Sequence, residues 1–392
     1  MMRQATRYSA QAGLVGLLLS ITIVANAQFL IIGDDNKLHW DDAGKPVFTE
    51  PGKDEVVIVD IKDRESPKVV ASLPLMNTVI GPPTNLAITP NGTLALVANS
   101  LNYQPQDGGW KPVPDNRIYV IDLTSSPPQQ IATVEVGKQP SGIAINRIGN
   151  LVLVADRADN AVTVLTIDGK EVKAVATIPL GDTVSAVAIT PDGKHALITK
   201  HSVNKVAWLD VDGQSVSYNK HDLSVGVWPY NVQITADGHF ALTVNQGNGG
   251  VIDGGAGSVS VIDLTATPPH LVDYVGVDPL PEGLAVSPGA PLAVAVAING
   301  SGAGPSAAWF ASAHSLLDVL STADGRVRKV GAVKAGQLAE GIAFSPDGEY
   351  LYVANFSDSD LKVYRVEGDN LRDTGKVLKL PGHPASMRGG TP

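Results

Sequence analysis

The chain has 392 residues, a formal charge of −10 and no cysteine. Without thiols it can form no disulfide, no covalently attached c-type haem, no iron–sulfur cluster and no lipidated cysteine. The acid excess repels phosphate backbones and argues against DNA or RNA as a ligand.

The first segment reads as a secretory signal peptide, residues 1–27. Arg3 and Arg7 supply the basic start, Leu14–Val24 the apolar run, and Ala25-Asn26-Ala27 a small-residue cleavage site before Gln28. The run is 11 residues long, against the ~20 needed to span a bilayer. The leader holds two arginines and no acid, so the mature chain would carry 27 basic and 39 acidic side chains, a net charge of −12. Periplasmic or secreted localisation is expected, with no membrane insertion after cleavage.

The remaining residues, 28–392, form one repeat array. An opening Pro, two small or polar residues and an apolar strand recur at Pro140-Ser-Gly-Ile-Ala-Ile145, Pro229-Tyr-Asn-Val-Gln-Ile234 and Pro281-Glu-Gly-Leu-Ala-Val286. Pro83 opens another copy, and Val184 and Ala339 open two without the proline. Thr89-Pro-Asn-Gly92, Thr190-Pro-Asp-Gly193, Thr235-Ala-Asp-Gly238 and Ser345-Pro-Asp-Gly348 follow as hairpin turns. Two further strands complete each unit, which makes a four-stranded propeller blade. A seventh opening at Pro384 stops after one strand. The N-terminal segments Phe29–Gly33, Glu55–Ile61 and Lys68–Leu73 supply the other three. The predicted fold is therefore all-β: a seven-bladed β-propeller closed by a split blade, with the C-terminal strand innermost.

These motifs, with Leu351-Tyr-Val-Ala-Asn355, resemble the YVTN repeat family and are similar to the lactonase-type seven-bladed propellers. The resemblance implies lactone hydrolysis as the candidate activity. No family catalytic motif matches residue by residue, so it carries no catalytic assignment.

Between strands 2 and 3, four blades carry long insertions: Asp34–Asp54, Ser100–Asn116, Gln246–Gly257 and Ile298–Ser315. All belong to one loop class and should rise from one face. Trp40, Tyr103, Trp110, Trp309 and Phe310 lie in them, as ring-stacking or partner-gripping groups or as a cap laid over the channel. The residues just after each opening should ring the channel at this face. Glu282 and Glu340 come from neighbouring blades, and a close carboxyl pair can share a proton and act as general acid and base. Arg388 and His383 are the expected counter-charges, and Asp156-Arg157 and Lys200-His201 interrupt a run of asparagines at the strand-2 ends. Glu282, Glu340, Arg388 and His201 are thus the catalytic candidates. Asn85, Tyr230, Asn231, Trp110, Trp309 and Arg157 are the ligand-binding ones. His39, His201, His314 and His383 lack paired spacing, so no transition-metal site is expected. No motif requires a cofactor; calcium is the cation best suited to Asp34, Asp35, Asp41 and Asp42, although no EF-hand pattern is present. The partner is a small molecule or another exported protein. A lactone hydrolase, a non-catalytic binding module and a docking subunit for a redox partner, resembling the heavy chain of amine dehydrogenases, all remain open.

Overall fold

In the computed structural model, residues 29–41, 44–248, 251, 253–302 and 308–390 are described. The expected signal peptide and Asp42 lie outside them. The described residues form seven four-stranded antiparallel sheets arranged as a ring, with one short extra hairpin (Leu38–Trp40 with Pro46–Phe48). We number the blades 1–7 by their innermost strands: Leu86–Ile88, Pro140–Ile145, Val184–Ile189, Pro229–Ile234, Pro281–Val286, Ala339–Phe344 and Pro384–Gly389. Among the described residues no helix is long and apolar enough to cross a membrane.

Blade 7 is the split blade. Its order is Pro384–Gly389, Phe29–Asp34, Val56–Asp60, Lys68–Leu73. The C-terminal strand is innermost and pairs from Leu30↔Gly389 to Gly33↔Ser386. Both terminal strands are thereby buried in a shared sheet, and no edge is left at the join.

Six inner strands begin at the residue their motif predicts. Blade 1 begins at Leu86, three residues after Pro83. Pro82 and Pro83 have no N–H to give a ladder, and the chain instead closes a tight turn in which Thr84 N donates to Pro82 O (2.6 Å). The Ser100–Asn116 insertion also departs from expectation. It continues strands 2 and 3 as a long hairpin, Leu94–Gln106 with Gly109–Asp122. Asp107 (φ 53°) and Gly108 (φ 78°) make the two-residue turn that this pairing needs.

The core is divided among the interfaces. Among the described residues, seven apolar clusters each join two neighbouring blades. Blades approach so closely at the inner strands that a Cβ on Gly142 would lie 2.5 Å from Ala186 Cα, and one on Gly283 would lie 2.6 Å from Glu340 O. The glycine of the Pro-x-Gly motif is thus set by blade contact rather than by backbone conformation.

Candidate functional site

The strand-2 to strand-3 links share one end of the ring, and there the channel mouth is built from two layers. The upper layer is the residue after each strand 2. In six blades its N–H donates to the carbonyl just before the inner strand: Asp35 to His383, Arg157 to Gln139, His201 to Thr183, Gln246 to Trp228, Ile298 to Leu280 and Phe356 to Leu338. In four of these the acceptor residue has positive φ (Gln139, Trp228, Leu280 and Leu338). This recurrent clasp turns the upper residues toward the axis. The lower layer is the second and third residues of each inner strand, where Thr84, Asn85, Ser141, Ser185, Tyr230, Asn231, Glu340 and Ser386 are buried and Glu282 is part-exposed to the channel.

The asparagine ring at the strand-2 ends turns out to be a structural pin. Asn245, Asn355 and Asp156 lie against Gly226, Gly336 and Gly137 so tightly that a Cβ there would come within 2.6 Å of each side chain. Lys200 is held within its own blade by Asp182 (2.6 Å) and Asp222 (3.0 Å). Asp156 accepts from Thr163 Oγ1 (2.6 Å), and burial raises its carboxyl to about 7.

The two predicted carboxyls do meet. The Glu282 and Glu340 side chains hydrogen-bond to each other, so one must carry a proton. Gln246 Nε2 donates to Glu282 Oε1 (2.9 Å). Burial raises Glu282 to about 7, while its bond with Glu340 and the nearby Arg157 guanidinium oppose the rise. Glu340, with no such help and the Glu282 charge beside it, stays protonated well above the usual carboxyl range. Arg157 stands 5.9 Å from the Tyr230 ring centroid, and its Nη1 is buried with no protein hydrogen-bond partner.

His201 opens a short 3-10 turn, His201–Val203, closed by Asn204 at φ 59°. Its Nδ1 is 2.6 Å from Ser185 Oγ, and its ring meets Trp228 edge-on at 4.9 Å. Burial, then Arg157, pushes the imidazole down to about 4, so it is neutral at physiological pH. Around the same mouth Thr84 Oγ1, Asn85 Oδ1, Ser141 Oγ, Asn231 Oδ1 and Glu340 Oε2 are buried without a partner among the described residues.

Arg388 does not join this group. It lies four residues into its strand, lining the opposite end of the channel with Ala343 and Phe344. At ~3.3 Å per residue it sits ~10 Å deeper than the carboxyl level. Arg157 takes the counter-charge position instead. His383 also stays apart, its Nδ1 near Ser359 Oγ (3.0 Å) and Phe356 O (2.9 Å). His39 and His314 are exposed. Trp309 is 87 % exposed and packs edge-on against Phe310, and Trp110 stands near the tip of the blade-1 hairpin, paired with Pro105. Gln246 and Ser185 complete the site without having been candidates. Gln246 had a readable signal, because it occupies the same post-strand-2 position as Arg157 and His201.

The remaining side of the mouth is capped. Leu38 from the blade-7 insertion packs with Val79, Leu280, Ile298, Leu338, Phe356 and Ala385. Trp40 meets Phe356 edge-on at 5.5 Å, so the aromatic insertion of blade 7 does lie over the ring. Buried Lys37 pins this cap, donating to Asp35 Oδ1 (3.1 Å), to Asp54 Oδ2 and to Asn77 O. Asp34 is raised to about 8, by burial first and then by Glu55. Among the described residues no three His, Asp or Glu side chains gather as a metal site.

No family model matches the sequence, and no curated protein matches it. The fold has clear counterparts among solved structures. A functionally unknown protein from Desulfotomaculum acetoxidans aligns at TM-score 0.68 and 17 % identity, over 93 % of this chain and 99 % of that one. The periplasmic gluconolactonase of Pseudomonas aeruginosa aligns at 0.62 and 18 %, over 92 % and 98 %. Dihydro-haem d1 dehydrogenase NirN in complex with DHE aligns at 0.55 and 16 %, over 93 % and 75 %. At these identities the likeness is one of fold: this chain shares the β-propeller architecture of a set that includes lactonases.

Proposed function

We propose that the loop-rich mouth binds a small polyhydroxylated molecule and hydrolyses a lactone there. The observation that carries this is the Glu282–Glu340 pair, two carboxyls that share a proton beside a guanidinium with a free donor. Glu282, with its pKa near 7, is poised as a general base, and Glu340 keeps the proton of a general acid. In the proposed step Glu282 takes a proton from a water as its oxygen bonds to the lactone carbonyl carbon. The ring C–O bond then breaks, Glu340 protonates the departing ring oxygen, and a hydroxy acid is left. Arg157 faces the oxyanion that forms between these events. Neutral His201, held on Ser185, supports ligand orientation. The unpartnered Asn85, Asn231, Ser141 and Thr84 atoms suit the hydroxyls of a sugar-type ring. The Pseudomonas counterpart is a periplasmic gluconolactonase, which supports this substrate class and, with the predicted leader, action outside the cytoplasm.

The experiment is a pH-stat screen of the mature chain against sugar-acid lactones. Turnover that falls by roughly 10²–10⁴-fold in Glu340→Gln supports the reading. A panel with no turnover above background rejects catalysis. Ligand-dependent thermal stabilisation without turnover would leave a binding module, and the exposed Trp309 would then favour a role as a docking surface for an exported protein.

A further inference from the structure

The opposite end of the channel carries chemistry that the mouth does not use. It opens into a cavity of about 290 Å³, near the small end of the ligand-pocket range. Counting four residues from each opening gives one ring of side chains around it: Ala87, Ala144, Ala188, Ala285 and Ala343, with Gln233 from blade 4 and Arg388 from blade 7. Five blades keep this position small, and the space they leave is what the Arg388 side chain enters.

Ile145, Ile189, Val286 and Phe344 make the walls apolar. The hydroxyls nearby are already committed. Thr190, Thr235 and Ser345 each donate to the Asp two residues on in their own turns, and Ser287 Oγ accepts from Gly289 N and Ala290 N. The charged lining residues are Arg388 and Arg147, and no lining residue is acidic. Arg147 lies outward, its Nη2 donating to Ala236 O (3.3 Å). Among the described residues Arg388 is thus a half-buried cation with no acid in the cavity, on a chain whose net charge is −10. Burial lowers its guanidinium to about 10, and among the described residues no carboxylate opposes the shift. A desolvated charge without a counter-ion is costly, and a guanidinium fork matches a carboxylate in two parallel hydrogen bonds.

We propose that this end of the channel is a second ligand site, which takes a small carboxylate with an apolar body. The carboxylate would seat on Arg388 and the body on the Ile145, Ile189, Val286 and Phe344 walls. The site stands on its own residues and does not depend on lactone hydrolysis at the mouth.

Calorimetric titration of the mature protein with hexanoate tests it, with acetate, hexan-1-ol and hexylammonium as controls. Hexanoate is expected to bind at one site at least tenfold more tightly than acetate or hexanol, with no binding of hexylammonium. Arg388→Met should weaken hexanoate tenfold or more, and Arg388→Lys should retain part of the affinity. Equal heats for hexanoate and acetate, or none for either, would overturn the proposal. Should the Arg388 variants fail to fold, wild-type crystals soaked in 6-bromohexanoate decide. A bromine peak in the alanine-lined cavity supports the site, and one elsewhere or none refutes it.

Discussion

The two ends of the channel differ in how they treat charge. At the loop-rich mouth two carboxyls, a guanidinium, an imidazole and several amides and hydroxyls crowd together, half covered by an apolar cap. At the opposite end one guanidinium stands in a ring of alanines, and the neighbouring hydroxyls are tied into turns. The same inner strands produce both environments, because each runs from one end to the other. The propeller thus separates polar chemistry from apolar space by depth along its strands. Side chains a few residues apart in one motif can serve different sites.

The largest effect should come from removing the element that both ends share. Deleting residues after Pro381 takes away the inner strand of blade 7, including buried Ala385, Ser386 and Met387. Loss of cooperative unfolding by circular dichroism is expected across the whole ring. Unchanged melting would mean that the ring does not depend on the split blade. A smaller effect, confined to the mouth, is expected from Lys37→Met. That change strands Asp35 and Asp54 in the cap without their cation, a loss of about 3–5 kcal/mol. The denaturant midpoint measures it, and a shift equivalent to less than 1 kcal/mol would show the cap to be dispensable.

The smallest effects are the pH slopes set by the mouth. Glu282 sits at about 7 against an ordinary 4.5. Between those values the folded protein keeps a proton that the unfolded chain releases, so this group makes stability fall as pH rises from 4.5 to 7. His201 sits at about 4 against 6.5. There the folded protein refuses a proton that the unfolded chain accepts, so stability is lost as pH falls from 6.5 to 4. The two slopes oppose each other between 4.5 and 6.5. Glu282→Gln should shift the net slope toward the His201 sign and His201→Asn toward the Glu282 sign, each read from denaturant midpoints across that range against the constant background of Asp34 and Asp156. If both variants keep the wild-type profile, neither group is buried as described.

Much of this was legible in the sequence, because propeller repeats are local. Asp-Gly and Asn-Gly turns and the opening prolines fixed the register closely enough for six inner strands to start where expected. Register also placed Glu282 and Glu340 on neighbouring strands at one depth. The same counting would have moved Arg388 to the other end, since it aligns with Ala144 and Ala285 rather than with Glu282. What misplaced it was reading charge complementarity without strand depth. The blade-1 insertion, expected as a loop, carries a hairpin turn signature at Asp107-Gly108. Lys37 beside Asp35 and Asp54, and Ser185 beside His201, are contacts within one blade that depend on how an insertion folds or on a buried rotamer. No periodicity in the chain reports those.

Carbon-detected NMR titration of protein labelled at the glutamate carboxyls reads the proton held between Glu282 and Glu340. One glutamate should titrate at about 7 and a second should remain protonated beyond it, with Glu340→Gln removing the second signal and leaving Glu282 raised by its burial. If every glutamate titrates near the usual value of about 4.3, the mouth holds no shared proton and the proposed acid–base pair is wrong.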